Sequence, residues 1–277
     1  MRISFLSRRQ PTVAVIRLSG VIAAGGRGRG SINLPTLSRV LERAFSVRGV
    51  RAIALDINSP GGSPVQSAMV FDRIRALAEE KKLPVLGFTQ DVAASGGYWL
   101  ACAADEIFAN ENSIVGSVGV ISSSFGLQSL LERFGIERRV HTSGDRKGFL
   151  DPFLPEKAED VGRLKSLQAE IHESFRELVR ERRRGRLKAD EEVLFSGEFW
   201  TGRKAMELGL IDGLGDLRTV LRERYGKKVR LPVFGPEQGW LRRRIGIAGW
   251  TGASGGHWAD ELMNTIEARA VWSRYGL

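Results

Sequence analysis

Two short runs, TVAVIRL at Thr12–Leu18 and VRAIALDINS at Val50–Ser59, constrain the fold of this chain most strongly. Both have the length and β-branched content of strands. Between them, Leu34 to Phe45 shows helical apolar spacing, and a second helix is expected over Val65–Glu80 before a short strand at PVLGF from Pro84. Strand, helix, strand, helix is the pattern of right-handed crossovers in a parallel layered sheet, so the core is expected to be α/β. An alanine-rich helix, EIFA, GSVGVI (Gly116–Ile121), a helix near Leu127–Arg133 and a strand at ERRVHT ending at Thr142 are expected next. From Glu156 to Arg184, apolar residues at Val161, Leu164, Leu167, Ile171, Phe175 and Leu178 mark a long amphipathic helix.

With 277 residues, 42% of them hydrophobic, the chain has enough apolar surface for a full core and length for one large or two modest domains. Arg8, Arg9 and Arg17 interrupt every candidate hydrophobic leader, and no stretch of about 18 apolar residues follows. Neither a signal peptide nor a membrane span is expected, and the expected location is cytoplasmic, with peripheral membrane contact left open. The single cysteine, Cys102, lies among alanines and reads as a buried structural residue without a disulfide.

A formal charge of +10 attracts anionic surfaces. The densest cluster, RERRRGRLK at Arg180–Lys188, lacks the interleaved aromatics that stack on bases, so no nucleic-acid partner is expected. It reads as the solvated end of the long helix, with an anionic-lipid patch as the alternative. AAGGRGRGSINL at Ala23–Leu34 lacks the Gly-Lys-Ser/Thr ending of a phosphate loop and reads as a flexible loop. Near the end, GIAGWTGASGG reads as a linker, and Trp258, Leu262, Ile266 and Ala270 fall in helical register beyond it. The division expected is a main domain over 1–235, followed by a linker and terminal amphipathic helix over 236–277.

The chemistry centres on DVAASGG at Asp91–Gly97, where one serine stands among the smallest residues just before a helix. Such neighbours permit a sharp strand-to-helix turn that presents Ser95 as a nucleophile, provided that a base is at hand. The three histidines offer little: His172 lies in the long helix, His257 in the extension and His141 among arginines. Lysine performs the same role when burial disfavours its charged form. TSGDRKGFLDPF places Lys147 between a turn and the apolar Phe149-Leu150 pair, which makes it the candidate base.

LDINSPGGS (Leu55–Ser63), DVAASGGYWLACAADEI (Asp91–Ile107), NSIVGSVGVI (Asn112–Ile121) and TSGDRKGFLDPF (Thr142–Phe153), in this order, resemble the signal peptide peptidase A (SppA) family of serine peptidases. The likeness covers roughly residues 10 to 235. It implies a Clp protease/crotonase-like layered parallel-sheet fold, with Ser95 as nucleophile, Lys147 as general base and Ser117 orienting that base. It also implies an oxyanion hole with one amide from the Gly61-Gly62 pair and another from Gly96. Substrates would be peptides or unfolded protein segments, signal-peptide fragments among them. No metal or cofactor is implied. The short members of that family suggest a homo-oligomeric ring, an octamer among the candidates, with serine and lysine drawn from neighbouring subunits. Two other readings remain beside this one: a crotonase-type acyl-CoA enzyme, which would not need Ser95 or Lys147, and a non-catalytic membrane-associated scaffold.

Overall fold

In the computed structural model, which describes residues 10–24, 31–144, 146–236, 270 and 272–276, the two apolar runs are neighbouring parallel strands. β1 (Thr12–Ser19) pairs with β2 (Val50–Ser59), and β2 pairs with β3 (Val85–Ala94), all in parallel. Alternate residues serve opposite layers, as the pleat requires. Ala14, Ile16, Leu18, Ile53, Leu55 and Ile57 belong to the larger core, whereas Val13, Val15, Ala52, Ala54, Leu86 and Phe88 belong to a second core on the other side.

The helices covering the larger core start where their sequences direct. α1 (Leu34–Phe45) is capped by Asn33, whose side chain accepts the Thr36 amide at 3.0 Å, and α2 (Pro64–Lys81) begins with Ser63 as cap and Pro64 in the first turn. The short α3 (Gly96–Ala101) is buried throughout. Beyond it come β4 (Glu106–Ala109), β5 (Ile114–Gly116), α4 (Gln128–Arg133) and the long α5 (Ala158–Arg182). The chain continues through α6 (Glu191–Leu194), β6 (Phe199–Thr201), α7 (Gly202–Glu207), β7 (Gly213–Leu214), α8 (Leu217–Tyr225) and β8 (Val233–Phe234). The sheet runs β6-β5-β3-β2-β1-β8, with β4 beside β3 and β7, and among the described residues only the β5–β6 pair is antiparallel. This parallel-dominated α/β arrangement is consistent with the Clp protease/crotonase-like layered fold.

β5 stops at Gly116, because Gly116 and Ser117 both take positive φ, of 116° and 54°. Two expectations change. ERRVHT forms no strand: none of the described residues pairs with it to complete a ladder, and Val140 is half exposed. The Arg180–Lys188 cluster is not simply a solvated helix end, because most of it is committed internally. Arg180 pairs with Glu173 and Glu191, and Arg182 donates to the Cys102 and Ala104 carbonyls. Arg183 is only 1% exposed, bound to the Gly209 carbonyl and Asp212, while Arg186 reaches Asp105 and Asp212. Cys102 is buried, as expected. The linker and most of the terminal helix lie outside the described residues, as does the loop at 25–30.

Candidate active site

Ser95 sits at the junction of β3 and α3 with φ 52° and ψ −124°, a conformation that costs a non-glycine residue about 1–3 kcal/mol. The turn is held from both ends. The Ser95 amide donates to the Gly116 carbonyl at 2.9 Å, and the Ser95 carbonyl accepts the amides of Tyr98 and Trp99 at 2.9 and 3.0 Å. Trp99 in turn stacks on Phe175 of α5, with ring centroids 4.7 Å apart.

The small residues around Ser95 are required by close packing. A methyl group on Gly61 would lie 2.8 Å from Ser95 Cβ, one on Gly96 would lie 2.4 Å from Ser67 Oγ, and one on Gly97 would lie 2.3 Å from the Ser59 carbonyl oxygen. The Gly61-Gly62 loop is therefore pressed directly against the serine turn. It is fixed there by Ile22, whose amide donates to the Gly61 carbonyl and whose carbonyl accepts the Ser63 amide, both at 2.8 Å. That alternation skips Gly62. The Gly61 amide is taken by Ser59 Oγ at 3.3 Å, whereas those of Gly62 and Gly96 have no hydrogen-bond partner among the described residues. Gly62 N lies 3.4 Å from where a Gly96 Cβ would stand, so the two unpaired amides belong to one small region.

Ser117 is brought alongside by strand register. β5 pairs with the end of β3 so that Ala94 lies opposite Gly116, and Ser95 and Ser117 follow as neighbours. Both have positive φ. The Ser117 amide donates to the Glu198 carbonyl at 2.7 Å, and the next residue is tied to α5 by His172 Nε2 at 3.1 Å from the Val118 carbonyl oxygen. The site also receives the chain's own end: the Tyr275 hydroxyl donates to Ser117 Oγ at 3.4 Å, and the Tyr275 ring meets Phe199 edge-on at 5.0 Å. Sequence reasoning assigned no role to His172 or Tyr275, since neither lies in a motif.

Lys147 is placed differently from the dry pocket its sequence suggests. It is exposed within the single chain, and its ammonium has no hydrogen bond or ion pair among the described residues. Its loop is nevertheless organised. Arg138 bonds both carboxylate oxygens of Asp151 and lies 4.6 Å over the Phe153 ring, while Asp160 accepts the Leu150 amide at 3.3 Å. The neighbouring Leu127 amide donates to the Pro152 carbonyl at 2.6 Å. The surrounding arm leaves Phe125 82%, Phe134 69% and Ile121 68% exposed.

A strained serine beside two unpaired glycine amides suits acyl transfer. The profile of the family described as Peptidase family S49 matches residues 77–229. The chain belongs to peptidase family S49. The S49 chain is 35% identical over 216 residues to "Serine protease SPPA, chloroplastic" of Arabidopsis thaliana, an alignment spanning 74% of this chain and 31% of that protein. It is 28% identical over 218 residues to "Protease 4" of Haemophilus influenzae, spanning 76% and 34%. A Brucella abortus protein named "Na(+)/H(+) antiporter NhaA" is 50% identical over 272 residues, 96% of this chain and 37% of that protein. The S49 chain thus spans about a third of the length of these relatives. Among its described residues no helix is long and apolar enough to cross a membrane. Within that family the chain is of the SppA type.

Proposed function

We propose that the protein hydrolyses peptide bonds in extended peptides or unfolded protein segments through a Ser95/Lys147 dyad assembled between neighbouring copies. Ser95 Oγ attacks the scissile carbonyl as the Lys147 amine takes its proton, and Ser117 orients that amine. The amides of Gly62 and Gly96 hold the developing oxyanion, with Gly62 favoured over Gly61 because the Gly61 amide already has a partner. Each such donor is worth about 3 kcal/mol in the transition state. Lys147 then returns the proton to the leaving amine, and water repeats the sequence on the acyl-enzyme.

The observation that carries this reading is the strained Ser95 turn beside two unpaired amides, with Ser117 next in register. Assembly in trans is supported by the exposure of Lys147 on an arm rich in exposed apolar side chains, a surface suited to burial against a second copy. A closed ring of such contacts satisfies every arm. The test combines Ser95→Ala and Lys147→Ala subunits. Each is inactive alone, and mixing under exchange conditions restores partial activity. Full activity of either variant refutes the dyad, and failure of exchanged mixtures to recover refutes assembly in trans.

A further inference from the structure

β3 changes neighbours just before the nucleophile. Its first part, Leu86–Thr89, pairs with β4, while its last part, Val92–Ala94, pairs with β5. The change is made by a bulge: Ile57 lies opposite Thr89 and Ser59 opposite Ala93, so Asn58 alone faces Gln90, Asp91 and Val92. A bulge bends its strand and leaves ladder groups without backbone partners, which the structure must satisfy otherwise. Here one side chain does so. Asn58 Oδ1 accepts the Val92 amide at 3.2 Å, and Asn58 Nδ2 donates to Asp91 Oδ2 at 2.7 Å. On the opposite side, buried Ser113 donates to the Gln90 carbonyl and receives the Asn110 amide at 3.1 Å.

We infer that Asn58, working with Asp91, is a positioning residue for catalysis: it holds the β3 bulge that turns the strand onto β5 and so sets Ser95 against Ser117. Val92 is three residues from Ser95, and the intervening Ala93 and Ala94 are locked in register with Val115 and Gly116. A slip at the bulge is therefore passed directly to the serine. The inference rests on Ser95 being the nucleophile.

Three variants test it, read by the rate at which a fluorophosphonate labels Ser95 and by kcat and KM on a fluorogenic peptide. Asn58→Asp puts two carboxylates together and opens the clamp, and displacement of the nucleophile lowers the labelling rate and kcat about 100-fold with KM little changed. Adding Asp91→Asn reverses the direction of the hydrogen bond, since an aspartate at 58 accepts from both Val92 and the new amide. The double variant returns to within about tenfold of wild type. A merely structural loss would not be repaired by this exchange. Asp91 is exposed, so Asp91→Ala decides the matter if Asn58→Asp does not fold, with labelling slowed at least about threefold at unchanged circular dichroism. Wild-type labelling rates in Asn58→Asp or Asp91→Ala, or a double variant as slow as Asn58→Asp, overturn the inference while leaving Ser95 as nucleophile. A wild-type chain that is never labelled at Ser95 refutes both.

Discussion

At Gly62 the backbone has φ +140°, and an added Cβ would fall 2.0 Å from the Ile22 carbonyl oxygen, a distance no rotamer change can relieve. Gly62→Ala must therefore move the loop that carries one of the two unpaired amides. Losing a single oxyanion donor costs about 100- to 1,000-fold in kcat. Steady-state kinetics of Gly62→Ala on a peptide substrate should show that loss, with a smaller change in KM. Cys102 answers a different question. Burial pushes its thiol up to about 12, against an ordinary value of 9.0, so the native state keeps its proton where the unfolded chain loses it. The unfolded state then binds fewer protons above pH 9, and stability falls as pH rises from there towards 12. Urea unfolding followed from pH 8 to pH 11 should show that decline, and Cys102→Ser should flatten it.

At the scale of elements, the cluster Arg180–Lys188 shows what a local charge pattern leaves out. Its partners are Glu173 and Glu191 on one side, and Asp105, Asp212 and the carbonyls after α3 and α7 on the other. Most of these are remote in sequence, so their approach depends on how α5 crosses the sheet. Arg183→Ala leaves the Gly209 carbonyl unpaired and takes one of two arginines from Asp212, which keeps Arg186 and the Ile107 amide, and should cost about 3 kcal/mol. The exposed Arg184→Ala should change stability by less than about 0.5 kcal/mol, and chemical denaturation of the two variants compares them directly. The early strands and helices were legible because their information is local: apolar runs for β1 and β2, and Asn33 and Ser63 caps for α1 and α2. The Ser95 turn was legible for the same reason, through its small neighbours. The end of β5, the absence of a strand at ERRVHT and the Asn58 clamp depend on which strand lies alongside, and that is settled only by tertiary pairing. Lys147 follows the same division, since its motif is local but the surface proposed to complete its surroundings belongs to another copy.

Across the whole molecule, the chain end returns to the site from which the sequence separates it most. Tyr275 packs on Phe199 and shares its hydroxyl with Ser117, the residue proposed to orient the base. In the terminal helix Asp260, Glu261 and Glu267 suit lipid poorly and Trp258 and Trp272 suit burial against protein, so its sequence reads as one that docks on protein, either clasping a neighbour or covering the site. The described part of that helix, at 270 and 272–273, ends in the Tyr275 contact. A substrate that needs the space beside Ser117 must displace this tyrosine, so the contact acts as an intramolecular competitor. Its strength is bounded by one hydrogen bond and one aromatic pair, each about 1 kcal/mol. Deleting residues 270–277 should therefore lower KM for a short peptide by about tenfold, the equivalent of roughly 1.4 kcal/mol, and leave kcat unchanged. Tyr275→Ala should reproduce most of that shift, and Tyr275→Phe should retain the ring contact and give a smaller one. An unchanged KM in the deletion would show that the tail does not compete with substrate, and a fall in sedimentation coefficient would assign it to holding subunits together.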